Sequence, residues 1–161
     1  MNVARITITI GAIALFSTSA IANAHASDRE NPSRERSPNS NGRVAWMKNL
    51  DQARRISVET GRPMLIVVGA KWCGFCHKLE NTTLSDQAMV EYIHANFIPV
   101  HLDADRDRKA VRGLKAKTLP ATIVLSPDRK VLARLIGYRD AEDFHDELEK
   151  SLQRYDDLTQ Q

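Results

Sequence analysis

Both cysteines of this 161-residue chain fall in one tetrapeptide, Cys73-Gly74-Phe75-Cys76. Thiols at this spacing suit thiol–disulfide exchange. One sulfur captures a partner as a mixed disulfide, and its neighbour attacks that bond and releases the partner. The tetrapeptide lies between an apolar run, Met64 to Ala70, and a helix expected from about Gly74. A thiol where a helix begins faces unpaired N–H groups and the positive end of the dipole, and both favour thiolate. Cys73 is therefore expected as an exposed, low-pKa nucleophile. Cys76, one turn inside, is expected to resolve the mixed disulfide.

Other chemistries fit the pair less well. A structural staple across so short a loop removes little chain entropy. Zinc needs two further ligands at compatible spacing, and none is evident. Two ordinary buried thiols are a further alternative. Cys73-x-x-Cys76-His77 also satisfies the pattern for covalent haem attachment with His77 as axial ligand. Small haem-c domains are largely helical, whereas this pair follows an apolar strand. His77 otherwise reads as a helix-surface residue or as a group tuning the thiols. No cofactor or metal is expected.

The elements that must hold the pair read as alternating helix and strand. Trp46, Leu50 and Ala53 share a helical face that should end at Gly61 and Pro63. Met64 to Ala70 is a buried strand. The helix after the cysteines should break near Thr82–Ser85 and resume with Ala88, Met89, Tyr92 and Ile93 inward. Phe97 to Leu102 is a second strand, and Ala110, Val111 and Leu114 mark a short helix. Ala121 to Leu125 and Val131 to Gly137 are strands joined by a turn preset by Pro127. Asp140 is placed to cap a last helix carrying Phe144, Leu148, Leu152 and Tyr155 on one face. The early βαβ portion implies parallel pairing and the late hairpin antiparallel pairing. The expected fold class is α/β, a mixed central sheet with helices on both faces.

Residues 1–26 carry the marks of a signal peptide. Met1 to Arg5 is a basic start, Ile6 to Phe16 is apolar, and Ala22-Asn23-Ala24 and Ala24-His25-Ala26 are overlapping cleavage patterns. The apolar run is shorter than the roughly 20 residues of a membrane span, with an uncleaved anchor as the alternative. Residues 27–43 are Asn, Pro, Ser, Arg and Glu-rich and read as a disordered linker, leaving 44–161 as the folded domain. A periplasmic or secreted location follows, where paired cysteines persist. Net charge is +3 with acids and bases interleaved, as from Asp103 to Lys109, so no nucleic acid partner is expected.

Lys71-Trp72-Cys73-Gly74-Phe75-Cys76 together with Thr118-Leu119-Pro120-Ala121-Thr122 resembles the thioredoxin superfamily. The resemblance covers about Val44 to Tyr155. Within that superfamily the chain is similar to secreted thioredoxin-like proteins and to the C-terminal periplasmic domain of the electron conduit DsbD. With that domain it shares an acid, Glu80, four residues after the second Cys, followed by Ser85-Asp86-Gln87. The resemblance implies a thioredoxin fold and a thiol–disulfide oxidoreductase with Cys73 attacking and Cys76 resolving. It further implies that Trp72 shields the site and that Pro120 is cis and shapes a groove for substrate backbone. A trans turn proline and a core-packing tryptophan are the plainer alternatives.

One departure matters. Thioredoxin carries a buried Asp six residues before the first Cys, and here that position is Val67. Glu80, at helical i+4 from Cys76, is close enough in sequence to replace it, or is a solvent-facing acid. Members of the superfamily span about −270 to about −120 mV, on the order of 7 kcal/mol for two electrons. Gly74 and the DsbD-like surroundings favour the reducing direction. Expected partners are protein thiols and disulfides and a membrane electron donor, with the chain a monomer. The competing functions are a non-catalytic binding module using the Pro120 groove, and a metal or haem carrier using the thiols and His77.

Overall fold

A computed structural model describes residues 42–160. The expected signal peptide, 1–26, and linker residues 27–41 lie outside the described residues. Helix α1 (Leu50–Thr60) starts at Asn49, whose side chain accepts the Gln52 N–H, and stops at Gly61 with φ +71°. That left-handed conformation is open to glycine without a Cβ penalty. Strand β1 (Met64–Gly69) follows and is buried along its whole length.

β1 is an inner strand. It pairs in parallel with β2 (Ile98–Asp103) and antiparallel with β3 (Ala121–Leu125), which in turn pairs antiparallel with β4 (Val131–Ile136). The sheet order is β2-β1-β3-β4. Helices α2 (Gly74–Asn81) and α3 (Gln87–Asn96) make the crossover that the parallel pair requires. Helix α4 (Arg108–Gly113) and helix α5 (Ala141–Thr159) complete the domain.

Alternation along β1 explains both hydrophobic cores. Leu65 and Val67 join Leu79, Ile93, Phe97, Phe144 and Leu148 on the face carrying α2, α3 and α5. Met64, Ile66 and Val68 join Ala53, Val100, Leu102, Val111 and Ile123 on the face carrying α1 and α4. A strand covered on both sides must be apolar at every position, which is why Met64 to Val68 reads as an unbroken run. Each fully buried Leu, Ile or Phe here contributes about 1.5–3 kcal/mol. The α/β fold is as expected.

Two expectations about helix faces are corrected. Trp46 is not on α1, because Asn49 caps the helix after it. Asn49 itself is extended, and Met47 before it bridges to Val100. Trp46 instead sets its ring edge-on to His101, centroids 5.8 Å apart. Ala88 is exposed, and Val90 takes the inward position beside Met89 and Ile93. An alanine offers too little apolar area to decide which way a helix turns.

Candidate functional site

The strand–helix junction places Cys73 at the N-cap of α2, with extended backbone. Its Sγ accepts the Cys76 N–H at 3.2 Å, and its carbonyl accepts the His77 N–H. Cys73 and Cys76 form a disulfide with their Cα atoms 5.2 Å apart. The sulfur thus faces the orphan donors of a helix start, the setting that stabilises a thiolate once the bond is reduced. Cys73 is not freely exposed, which corrects the sequence expectation for this oxidised form. Cys73 keeps 7% exposure and Cys76 only 2%, packed with Ala70 under Ala104 and Leu119. Joining the sulfurs draws the outer one against its buried neighbour.

Aromatic side chains flank the mouth. Trp72 is 70% exposed and Phe75 is 65% exposed, so Trp72 is not core packing. The Trp72 indole N–H donates to an Asp105 carboxylate oxygen at 2.9 Å. Asp105 comes from the loop after β2, which is folded around Asp103. The Asp103 carboxylate accepts the backbone N–H groups of Asp105 and Arg106. The Arg106 and Asp105 N–H groups, in that order, hold the Asp103 carboxyl below its ordinary value. Leu119–Pro120 is a cis peptide, Pro120 is buried, and Leu119 packs against the cysteine cluster.

His77 lies on the exposed side of α2 with Nε2 bonded to the Lys71 carbonyl at 2.8 Å. The nitrogen a haem would need is engaged there, and both sulfurs are joined to each other. The described residues hold one group spaced for a metal, His145, Asp146 and Glu149, on α5 rather than on the cysteine-bearing α2. No helix among the described residues is long and apolar enough to cross a membrane.

Behind the disulfide, Glu80 meets a residue that sequence reasoning missed. Glu80 Oε1 lies 3.0 Å from His101 Nε2, joining α2 to β2. His101 stands beside Val67 in the parallel register. The imidazole therefore neighbours the position where the buried acid is absent. Glu80 and His101 help line an open cleft of about 500 Å³ with Arg43, Val44, Trp46 and Lys48. The signal for His101 was a lone polar residue inside an apolar strand. Asp105 gave none, being one acid among several in its loop.

The thioredoxin-like domain family matches residues 50–152. The chain is 31% identical over 115 residues to the thiol:disulfide interchange protein DsbD of Ralstonia nicotianae, covering 68% of this chain and 19% of that protein. It spans half or less of the length of the curated relatives it matches. A structure described as DsbH oxidoreductase superposes with a TM-score of 0.63 at 14% identity, covering 69% of this chain and 85% of that one. A thioredoxin from Thermus thermophilus superposes with a TM-score of 0.61 at 20% identity, covering 66% and 85%. At those identities the superpositions establish the thioredoxin fold.

Proposed function

Because this chain belongs to the thioredoxin-like family, we propose that it is a thiol–disulfide oxidoreductase working through Cys73 and Cys76. The carrying observation is the sulfur at the α2 N-cap, joined to a second sulfur one turn inside. Cys73 thiolate attacks a substrate disulfide, and one substrate sulfur leaves. Cys76 then attacks the Cys73 sulfur, closing the protein disulfide and releasing the second substrate thiol. Trp72 and Phe75 give the partner an apolar landing, and the Pro120 loop borders it.

Protein thiols and disulfides are the substrates. The reducing direction, with electrons from a membrane donor, is favoured by Gly74 and by the similarity to DsbD. Periplasmic residence, after removal of residues 1–26, is supported by the leader-like sequence and the same similarity, and the chain is taken to act as a monomer. The folded unit runs from 44 to 161, consistent with Val44 being buried in the core.

Equilibration of the purified domain in glutathione buffers tests the reading directly. The expected potential lies nearer to about −270 mV than to about −120 mV. A disulfide that does not interconvert with the buffer thiols would leave a redox-inert binding module in its place.

A further inference from the structure

The end of the sheet far from the disulfide carries a second cleft. Leu125 pairs with Met64, the first residue of β1, whereas Cys73 lies beyond its last. Leu50, Leu114 and Leu125, from the face carrying α1 and α4, line an open cleft of about 390 Å³ together with Val131. Val131 is 55% exposed although it stands in a strand. Three cations share the lining: Lys115 after α4, Arg129 in the β3–β4 turn and Arg134 on β4. No carboxylate lines the cleft, and among the described residues none lies within ion-pair distance of those three. The acid of the turn, Asp128, is engaged by the Ser126 hydroxyl and by Lys130. Arg134 Nη1 donates to the Leu114 carbonyl at 2.8 Å, which fixes the guanidinium and leaves its charge uncompensated.

The backbone adds an independent sign. Lys115 and Arg129 are the two non-glycine residues of positive φ among the described residues, at +55° and +70°. Glycine enters that region without a Cβ penalty. Both positions therefore hold a cation where glycine would settle the backbone more readily, and outliers of that kind gather at ligand sites.

The geometry points to a docking cleft for an acidic protein segment that carries an apolar side chain. A leucine-like side chain fills the apolar lining, and flanking carboxylates pair with the three cations. Those cations come from three separate elements, so they match carboxylates spread along a chain rather than one headgroup on an acyl tail. Complementary charge of this kind selects the partner more than it tightens the complex. A segment seated here leaves Trp72, Phe75 and the disulfide uncovered, so docking does not depend on the exchange reaction.

The test is fluorescence anisotropy with the disulfide closed. The probe is a fluorescein-labelled peptide with glutamates on both sides of a leucine pair. It should bind with a Kd on the order of 50 μM at low salt, weakening about fivefold between about 20 and about 200 mM sodium chloride. Replacing its glutamates by lysines, or its leucines by serines, should cost at least about tenfold. Lys115→Gly and Arg129→Gly should each weaken binding about threefold, and together about tenfold. Their thermal midpoints should stay unchanged or rise, because glycine accepts the left-handed backbone, and this separates lost binding from a disturbed fold. Unchanged affinity in the double variant overturns the proposal, as does equal binding of the lysine peptide. Binding to phosphatidylglycerol vesicles but not to the peptide overturns it in favour of a membrane surface. Self-association in sedimentation that the double variant abolishes, without peptide binding, overturns it in favour of a second copy of this chain.

Discussion

Four helix starts in this domain use the same local geometry, and one of them uses a different atom. Asn49, Asp86 and Asp140 each offer a side-chain oxygen to the N–H three residues on, at 2.9, 2.9 and 3.0 Å. At α2 the cap is Cys73, and the atom receiving the Cys76 N–H is sulfur. An oxygen cap contributes about 1 kcal/mol to helix stability. Sulfur is a weak acceptor while it is bonded to another sulfur, and a full anion once released. At three ends the helix N-terminus stabilises the fold. At the fourth the same donors favour the reactive state of a nucleophile.

Exchanging the atoms tests that contrast most severely. Cys73→Ser restores an oxygen cap and should abolish insulin disulfide reduction, a loss of at least about a thousandfold. Compared with Cys73→Ala, the serine variant should be more stable by about 0.5–1 kcal/mol in denaturant melts of the reduced proteins. Equal stability of the two would mean that position 73 does not cap α2 in solution. Cys76→Ser should instead accumulate mixed disulfides on Cys73, visible on non-reducing gels.

The opposite exchange is milder. Asp86→Ala and Asp140→Ala should each cost about 1 kcal/mol of stability and leave the exchange rate unchanged. A changed rate in either would tie those helix starts to the site. Smaller still is the effect expected of Asp105→Ala, which frees the Trp72 indole. The KM for a protein substrate should rise about threefold with kcat unchanged, since one partly exposed hydrogen bond is lost. A fall in kcat at constant KM would place Trp72 in the chemistry rather than in docking.

The same contrast explains what was legible in the sequence. The oxygen cap at Asp140 and the cysteine at a strand–helix junction are local patterns, set within a few residues. The unbroken apolar run of β1 announced a strand covered on both faces. The Glu80–His101 contact spans 21 residues and exists only because β2 pairs with β1 in one register. Trp46 misled because its spacing to Leu50 and Ala53 matches a helix by coincidence. The cap at Asn49 decided where the helix began.

The smallest effect concerns the wall of the cleft behind Cys76. The Ala45 N–H donates to His94 Nε2 at 2.9 Å, so that nitrogen must carry no proton. Burial first, and the Arg62 guanidinium second, hold the imidazole below its ordinary value. The sign follows from which state binds the proton first. As pH falls through the unfolded value near ~6.5, the unfolded chain takes up a proton that folded His94 still refuses. Stability therefore drops with acidification until the folded imidazole also titrates, and is flat below that. With a partly exposed ring the loss between about pH 7 and about pH 5 should be small. His94→Gln should remove that fraction of the pH dependence in denaturant melts. Protonation also breaks the bond to Ala45, next to the Arg43, Val44 and Trp46 side chains that line the cleft. Hydrogen exchange at the Ala45 amide, corrected for its intrinsic pH dependence, should lose protection on acidification. Protection unchanged by pH would mean that other contacts hold this wall, such as the Met47 backbone bonds to Pro99 and His101. The helix-cap contrast would then stand without a pH-sensitive counterpart behind the site.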